Sequence, residues 1–137
     1  MLQAVTHPSY AHEHPPAPHN ETLAYLGDAV LGLLVADILV RCEPGAEPGP
    51  LTVRRAAIVS TWGLAAWARE LGVGACLRLG RGEAQDGGRE KDSVLASALE
   101  AVVAVLYLTG GLAVVSPLIG RLVRSGEGPL TQTAPGP

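Results

Sequence analysis

The chain has 137 residues, with 10 Lys+Arg against 13 Asp+Glu and a formal charge of −3. That length suits one domain and excludes a second, separate nucleic-acid-binding module, while 47% apolar and 17% charged residues exclude global disorder. The mild acidity argues against the strong positive field of a freestanding nucleic-acid binder, and a core of Leu, Val and Ala without Phe suits closely packed helices.

Residues 1–19 hold all four histidines, His7, His12, His14 and His19, and read as a solvated Pro-rich lead-in. The run His14-Pro15-Pro16-Ala17-Pro18 cannot be helical, because each Pro removes a donor and restricts its predecessor. Asn20 reads as an N-cap with Glu21 in the first turn, and Leu23, Leu26, Val30, Leu31, Leu34 and Ile38 then follow helical spacing to about Val40. EPGAEPGP (43–50) is a loop by composition. Thr52 opens a second helix carrying Ile58, Trp62, Ala65 and Leu71 and ending near Gly72 and Gly74.

CLRLG (76–80) is too short to assign, and RGEAQDGGREKD (81–92) reads as a polar loop whose charges nearly cancel. Ser93 is expected to cap a third helix running to about Leu108, apolar nearly all round and therefore central. Gly110-Gly111 breaks the chain before a last helix to about Arg124, with Pro117 in its first turns. The tail 126–137 reads as disordered, leaving a domain over 1–125. The class predicted is all-α. Cys42 and Cys76 stand apart from any ligand spacing and read as small buried residues of a reducing cytosol. No signal-peptide pattern opens the chain, and Asp37 and Glu100 interrupt the two longest apolar stretches, so a cytoplasmic protein with no membrane partner is expected.

Asp28 and Glu100 are the polar residues out of place, each inside a strongly apolar helix. A buried carboxylate costs several kcal/mol unless paired, hydrogen-bonded or bound to metal. A local Arg partner, Arg54 or Arg55, is the ordinary explanation. A hard divalent cation is the functional one, since Mg²⁺ uses one or two carboxylates with waters and phosphate. Gly27 favours the second reading slightly, because a mid-helix Gly implies close approach of another backbone. Glu21, seven residues before Asp28, and Ser97, one turn before Glu100, share the same helix faces.

HNETLAYLGDAVLG (19–32) resembles the signature helix of the ribonuclease III family. THPSY (6–10), LTVRRAAIVS (51–60) and RLGRGEAQDGGREKDSVLASALEAVVAVLYLTGG (78–111) are similar to further segments of that family in the same order. The resemblance runs from Leu2 to about Arg124, with the family's first helix, normally before THPSY, largely absent. It implies an all-helical endonuclease domain forming a homodimer that hydrolyses phosphodiester bonds in double-stranded RNA with Mg²⁺, Mn²⁺ being a possible substitute. In that family a metal-bound water attacks phosphorus and leaves a 5′-phosphate.

Carried over residue by residue, the resemblance makes Asp28 and Glu100 the catalytic and metal-binding pair. Two further family carboxylates fall on Ala24 and Ser97, where no acid is present. Glu21 keeps the family's earlier Glu, near the dimer contact, and with Ser97 is a candidate for indirect, water-mediated ligation. LAYLGDA is similar to the small Mini-III branch, which cleaves precursor ribosomal RNA with a reduced acid set, so an active enzyme is expected. The alternative is a catalytically silent dimer that binds RNA or a ribosome. Arg54 and Arg55 are candidates for phosphate contact, as are Arg81, Arg89 and Lys91, although Glu83, Asp86, Glu90 and Asp92 offset the latter three. Trp62 and Trp67 read as core or interface residues, and the histidines as solvated more often than as a metal site.

Overall fold

The computed structural model describes residues 1–125, and the tail at 126–137 lies outside the described residues. These residues form eight α-helices: Pro8–Glu13 (α1), Glu21–Cys42 (α2), Pro48–Val59 (α3), Thr61–Glu70 (α4), Val73–Cys76 (α5), Arg81–Gln85 (α6), Asp92–Gly110 (α7) and Leu112–Ser125 (α8). Short 3₁₀ turns lie at Leu2–Val5 and Gly88–Glu90. The only β pairing among the described residues is an isolated parallel bridge between Thr6 and Arg78. The expected all-α class is what forms.

α7 is the central helix. Val94, Leu95, Ala96, Ala98, Leu99, Ala101, Val103 and Ala104 are buried on several of its faces, mainly between α2 and α4. Its small residues let neighbouring helices approach closely, and interior packing of this density is what holds a Leu/Val/Ala core together. α2 turns Gly27, Val30, Leu31, Leu34, Val35 and Leu39 inward, a spacing that returns to one helical stripe. Both α2 and α7 are long and apolar enough by composition to cross a membrane. Here they pack against each other as the core pair, and α8 adds Val115, Ile119, Leu122 and Val123 to the same cluster.

Several local expectations change. The single helix expected from Thr52 is two, because Ser60 leaves the helical region and caps α4, its hydroxyl accepting from Gly63 N–H at 3.0 Å while donating to Ala57 C=O. α3 also starts four residues early, with Pro48 in its first turn where the missing N–H costs nothing. The stretch 81–92 is partly helical: Glu13 accepts from the Arg81 N–H at 3.0 and 3.2 Å and so anchors the start of α6. Lys91, not Ser93, occupies the N-cap position of α7. Asn20 does occupy the N-cap position of α2, but its buried side chain donates to Ala4 C=O at 3.0 Å and gives no cap hydrogen bond. Cys42 and Cys76 are exposed free thiols, because both sit at helix C-termini, outside the α2–α7 packing. Trp67 is buried in the core and Trp62 half-buried.

Within the lead-in, the Pro-rich run at 15–18 is non-helical, as expected, while α1 and a 3₁₀ turn precede it. His7 Nδ1 lies 2.7 Å from Ser9 Oγ, the His14 ring stacks on Tyr10 with centroids 4.0 Å apart, and His19 Nδ1 accepts from Glu21 N–H at 3.3 Å. Local contacts thus occupy three of the four imidazoles.

Candidate functional site

Gly27 decides the geometry of the site. A Cβ built on it would lie 1.7 Å from the Glu100 carbonyl oxygen and 3.0 Å from its Cα, so the α2 backbone rests directly on α7 at that point. Only glycine allows this approach. The next residue, Asp28, consequently stands at the rim of the contact, within hydrogen-bonding reach of the Glu100 side chain. The apolar helices around them predict an interior position for both acids. The structure leaves Asp28 exposed and Glu100 half-buried, because the helices touch through Gly27 and the carboxyls project from the edge of the crossing.

Burial and the neighbouring Asp28 push the Glu100 carboxyl up to about 7. Two like charges side by side do not ionise together easily, and a protonated Glu100 donates its hydrogen to Asp28. Among the described residues no arginine forms an ion pair with either acid. Arg54 pairs with Glu43 instead, and Arg55 is exposed beside a groove of about 300 Å³ between α2 and α3, lined by Leu39, Val40, Pro48 and Leu51. The ordinary explanation for these acids is therefore absent among the described residues.

Glu21 lies exposed in the first turn of α2 and Ser97 is half-buried one turn before Glu100. Neither side chain is hydrogen-bonded to the acid pair among the described residues. Ala24 is half-buried and supplies no oxygen. Among the described residues no group of three or more His, Cys, Asp or Glu side chains is placed to hold a metal ion. The donor set at the crossing is two carboxylates with one side open. That suits a hard cation completed by water and substrate phosphate, and suits a transition metal poorly.

The five cationic candidates divide. Arg89 Nη1 donates to Gly74 C=O at 3.0 Å and Leu77 C=O at 2.7 Å, which ties the α5 end to the 3₁₀ turn. Lys91 Nζ pairs with Glu83 at 2.9 Å, and Arg54 is held by Glu43. Arg55 and Arg81 have no side-chain ion pair among the described residues. Sequence reasoning also missed Arg69, which donates to Asp92 at 2.5 Å and to Glu90 C=O at 2.8 Å and so fixes the start of α7. Their separation by more than twenty residues gave no local signal.

The sequence model of a family described as Ribonuclease-III-like matches residues 1–125. The chain belongs to the ribonuclease III family. It is 50% identical over 122 residues to Ribonuclease 3 of Thermobifida fusca, covering 89% of this chain and 51% of that protein. Ribonuclease 3 of Heliobacterium modesticaldum is 52% identical over 114 residues, covering 82% and 48%. The chain thus spans about half the length of the curated relatives it matches. Among solved structures, the nuclease domain of ribonuclease III from Campylobacter jejuni superposes with a TM-score of 0.85 at 32% identity, covering 93% of this chain and 86% of that one. That structure is described as flexible in a region involved in dimer formation. Dicer of Pichia stipitis matches with a TM-score of 0.61 at 27% identity, over 85% of this chain and 55% of that one. The ribonuclease III fold accounts for the α2–α7 pair on which both acids lie.

Proposed function

We propose that this chain is a Mg²⁺-dependent endoribonuclease that hydrolyses phosphodiester bonds in double-stranded or structured RNA, with Asp28 and Glu100 as its catalytic, metal-holding pair. The observation that carries the reading is the juxtaposition of these two carboxyls at the Gly27 crossing, with Asp28 exposed and no ion pair to either acid among the described residues. Ribonuclease 3 relatives support the reaction class. A pair in which burial and the neighbouring Asp28 raise Glu100 to about 7 gains most from a divalent cation, which offsets the charge both acids share. When bound, Mg²⁺ supplies charge neutralisation on the phosphate and activation of water.

The rest follows from the chain's own residues. Asp28, exposed, presents oxygens toward substrate, while Glu100, fixed on the core helix α7, cannot retreat from it. Asp28 and Glu100 would hold the cation together, and Glu100 would do so in its deprotonated form. Glu21 and Ser97 are the candidates for water-mediated contact with the pair. Arg55 and Arg81, both exposed, are the side chains best placed to meet the phosphate backbone, and A-form RNA is recognised largely by such backbone contacts and shape. Binding through the chain's phosphate-contact candidates is expected to be weak and salt-sensitive.

The acting unit in this reading is a homodimer in the cytoplasm. Tyr25, Leu33 and Val40 are 82%, 55% and 57% exposed along one side of α2, with Asp28 beside them. An apolar stripe of this kind matches a self-complementary two-fold contact, which would set two acid pairs along one RNA helix. Precursor ribosomal RNA is the substrate proposed. One observation favours the second reading, a silent RNA-binding dimer: Ala24 and Ser97 carry no carboxylate where the resembling family does. Incubation of the protein with structured precursor ribosomal RNA in Mg²⁺ or EDTA separates the two. Cleavage that requires Mg²⁺ supports the enzyme, and binding without cleavage, unchanged by EDTA, supports the silent module.

A further inference from the structure

The first fourteen residues act as a strap across the start of α2 and the 77–81 segment. Val5 C=O accepts from Arg78 N–H at 2.8 Å, and Arg78 C=O accepts from His7 N–H at 3.0 Å. Gln3 Nε2 donates to His19 C=O and Asn20 Nδ2 to Ala4 C=O, both at 3.0 Å. The Arg78 guanidinium lies 4.1 Å above the Tyr10 ring. Ser9 Oγ accepts from Gly80 N–H at 2.8 Å, and Gly80 is so close that a Cβ there would meet the Ser9 carbonyl oxygen at 2.8 Å.

His7 stands at the centre of this strap. It is the N-cap of α1, its Nδ1 accepting from Ser9 N–H at 3.0 Å, with Ser9 Oγ 2.7 Å away. Because Nδ1 accepts from the Ser9 N–H, it carries no hydrogen, and the Ser9 hydroxyl is the partner that donates in the 2.7 Å contact. Both contacts therefore use Nδ1 as an acceptor, which a neutral imidazole protonated at Nε2 provides and an imidazolium does not.

We propose that the His7–Ser9–Gly80 chain is a proton-operated latch, closed when His7 is neutral and released when His7 is protonated, so that mildly acidic conditions loosen residues 1–14 from the 77–81 segment. The imidazolium sets a donor against the Ser9 N–H and removes the cap of α1. It leaves only the hydroxyl as a partner. Charged or titratable groups reach His7 from several sides: Glu83 of α6 and Glu21 of α2 favour its protonation, while Lys91 and His19 oppose it. Burial outweighs these and lowers the His7 imidazole below its ordinary value. A depressed value means the folded strap binds fewer protons than the unfolded one, so its stabilisation is present above about pH 6.5 and fades as pH falls through the folded value.

The test is amide hydrogen exchange of the intact chain, expressed as protection factors between pH 7.5 and 5, alongside NMR titration of the His7 ring. The latch predicts that Ser9 and Gly80 protection falls about fivefold or more, on the scale of a lost N-cap, with the same midpoint as the His7 ring. His7→Asn, which caps a helix without titrating, keeps that protection at both ends of the range. Protection of Gly80 that stays constant in the unmodified protein, or that falls with a midpoint apart from that of His7, overturns the latch. So does an equal fall in the folded His7→Asn protein.

Discussion

The α-carbon of Gly27 rests against the backbone carbonyl of Glu100, with no room for even a methyl group between them. One missing side chain on α2 thereby fixes where a carboxyl on α7 stands relative to Asp28. The contact belongs to both the core and the candidate site, so changes there are expected to affect folding and chemistry together.

Gly27→Ala is expected to cost about 3 kcal/mol or more, because the new methyl meets backbone, which cannot swing away as a side chain would. Urea unfolding checks the value. A loss below about 1 kcal/mol would mean that α2 and α7 separate easily and that the crossing does not fix the acid pair.

The stability of the metal-free protein should fall as pH rises from about 5 to 8. Glu100 has a folded value near 7, above the 4.5 of an ordinary glutamate, so the folded state holds a proton that the unfolded chain releases. This stabilisation is complete below the ordinary value and disappears as pH climbs through the folded one. Thermal melts in EDTA should show the decline, and Glu100→Gln should flatten it. Added Mg²⁺ should raise the melting temperature most at the alkaline end.

Asp28→Asn should leave the protein as stable as the parent in EDTA at pH 8, or about 2–5 °C more stable, since it removes a like charge from beside Glu100. The same substitution should abolish the Mg²⁺-induced rise in melting temperature. A variant that is destabilised yet still gains from Mg²⁺ would place the cation elsewhere.

If the proposed homodimer forms through this face of α2, Tyr25→Asp should give a monomer without unfolding it. Tyr25 is 82% exposed, so a charge there leaves the core untouched while disrupting an apolar stripe. Sedimentation velocity reads the mass, and circular dichroism confirms retained helix. An unchanged dimer would move the interface away from this face of α2.

The two long helices were legible because their apolar residues recur with helical period and their ends carry Gly and Pro. Gly27, Asp28 and Glu100 stood out for the same reason: each violates the pattern of its helix. The break at Ser60 leaves no mark in the sequence pattern, because apolar periodicity continues across it and a single hydroxyl cap decides the matter. The partly helical character of 81–92 depends on Glu13, 68 residues away, and on the paired Lys91 and Glu83. The depth of the acid pair was overestimated because hydropathy averages a helix, while burial depends on which side of one contact a residue falls. Arg89 looked available for RNA by charge and proved committed to Gly74 and Leu77 carbonyls, a tertiary choice no local pattern records.

The most direct test is the Mg²⁺ dependence of single-turnover cleavage of a uniform RNA duplex by the parent protein and by Asp28→Asn and Glu100→Gln. A saturable dependence on Mg²⁺, products ending in 5′-phosphate and a loss of at least about 100-fold in both variants are predicted. Duplex that is bound but left intact at every Mg²⁺ and Mn²⁺ concentration, or cleavage that survives both substitutions, would contradict the account.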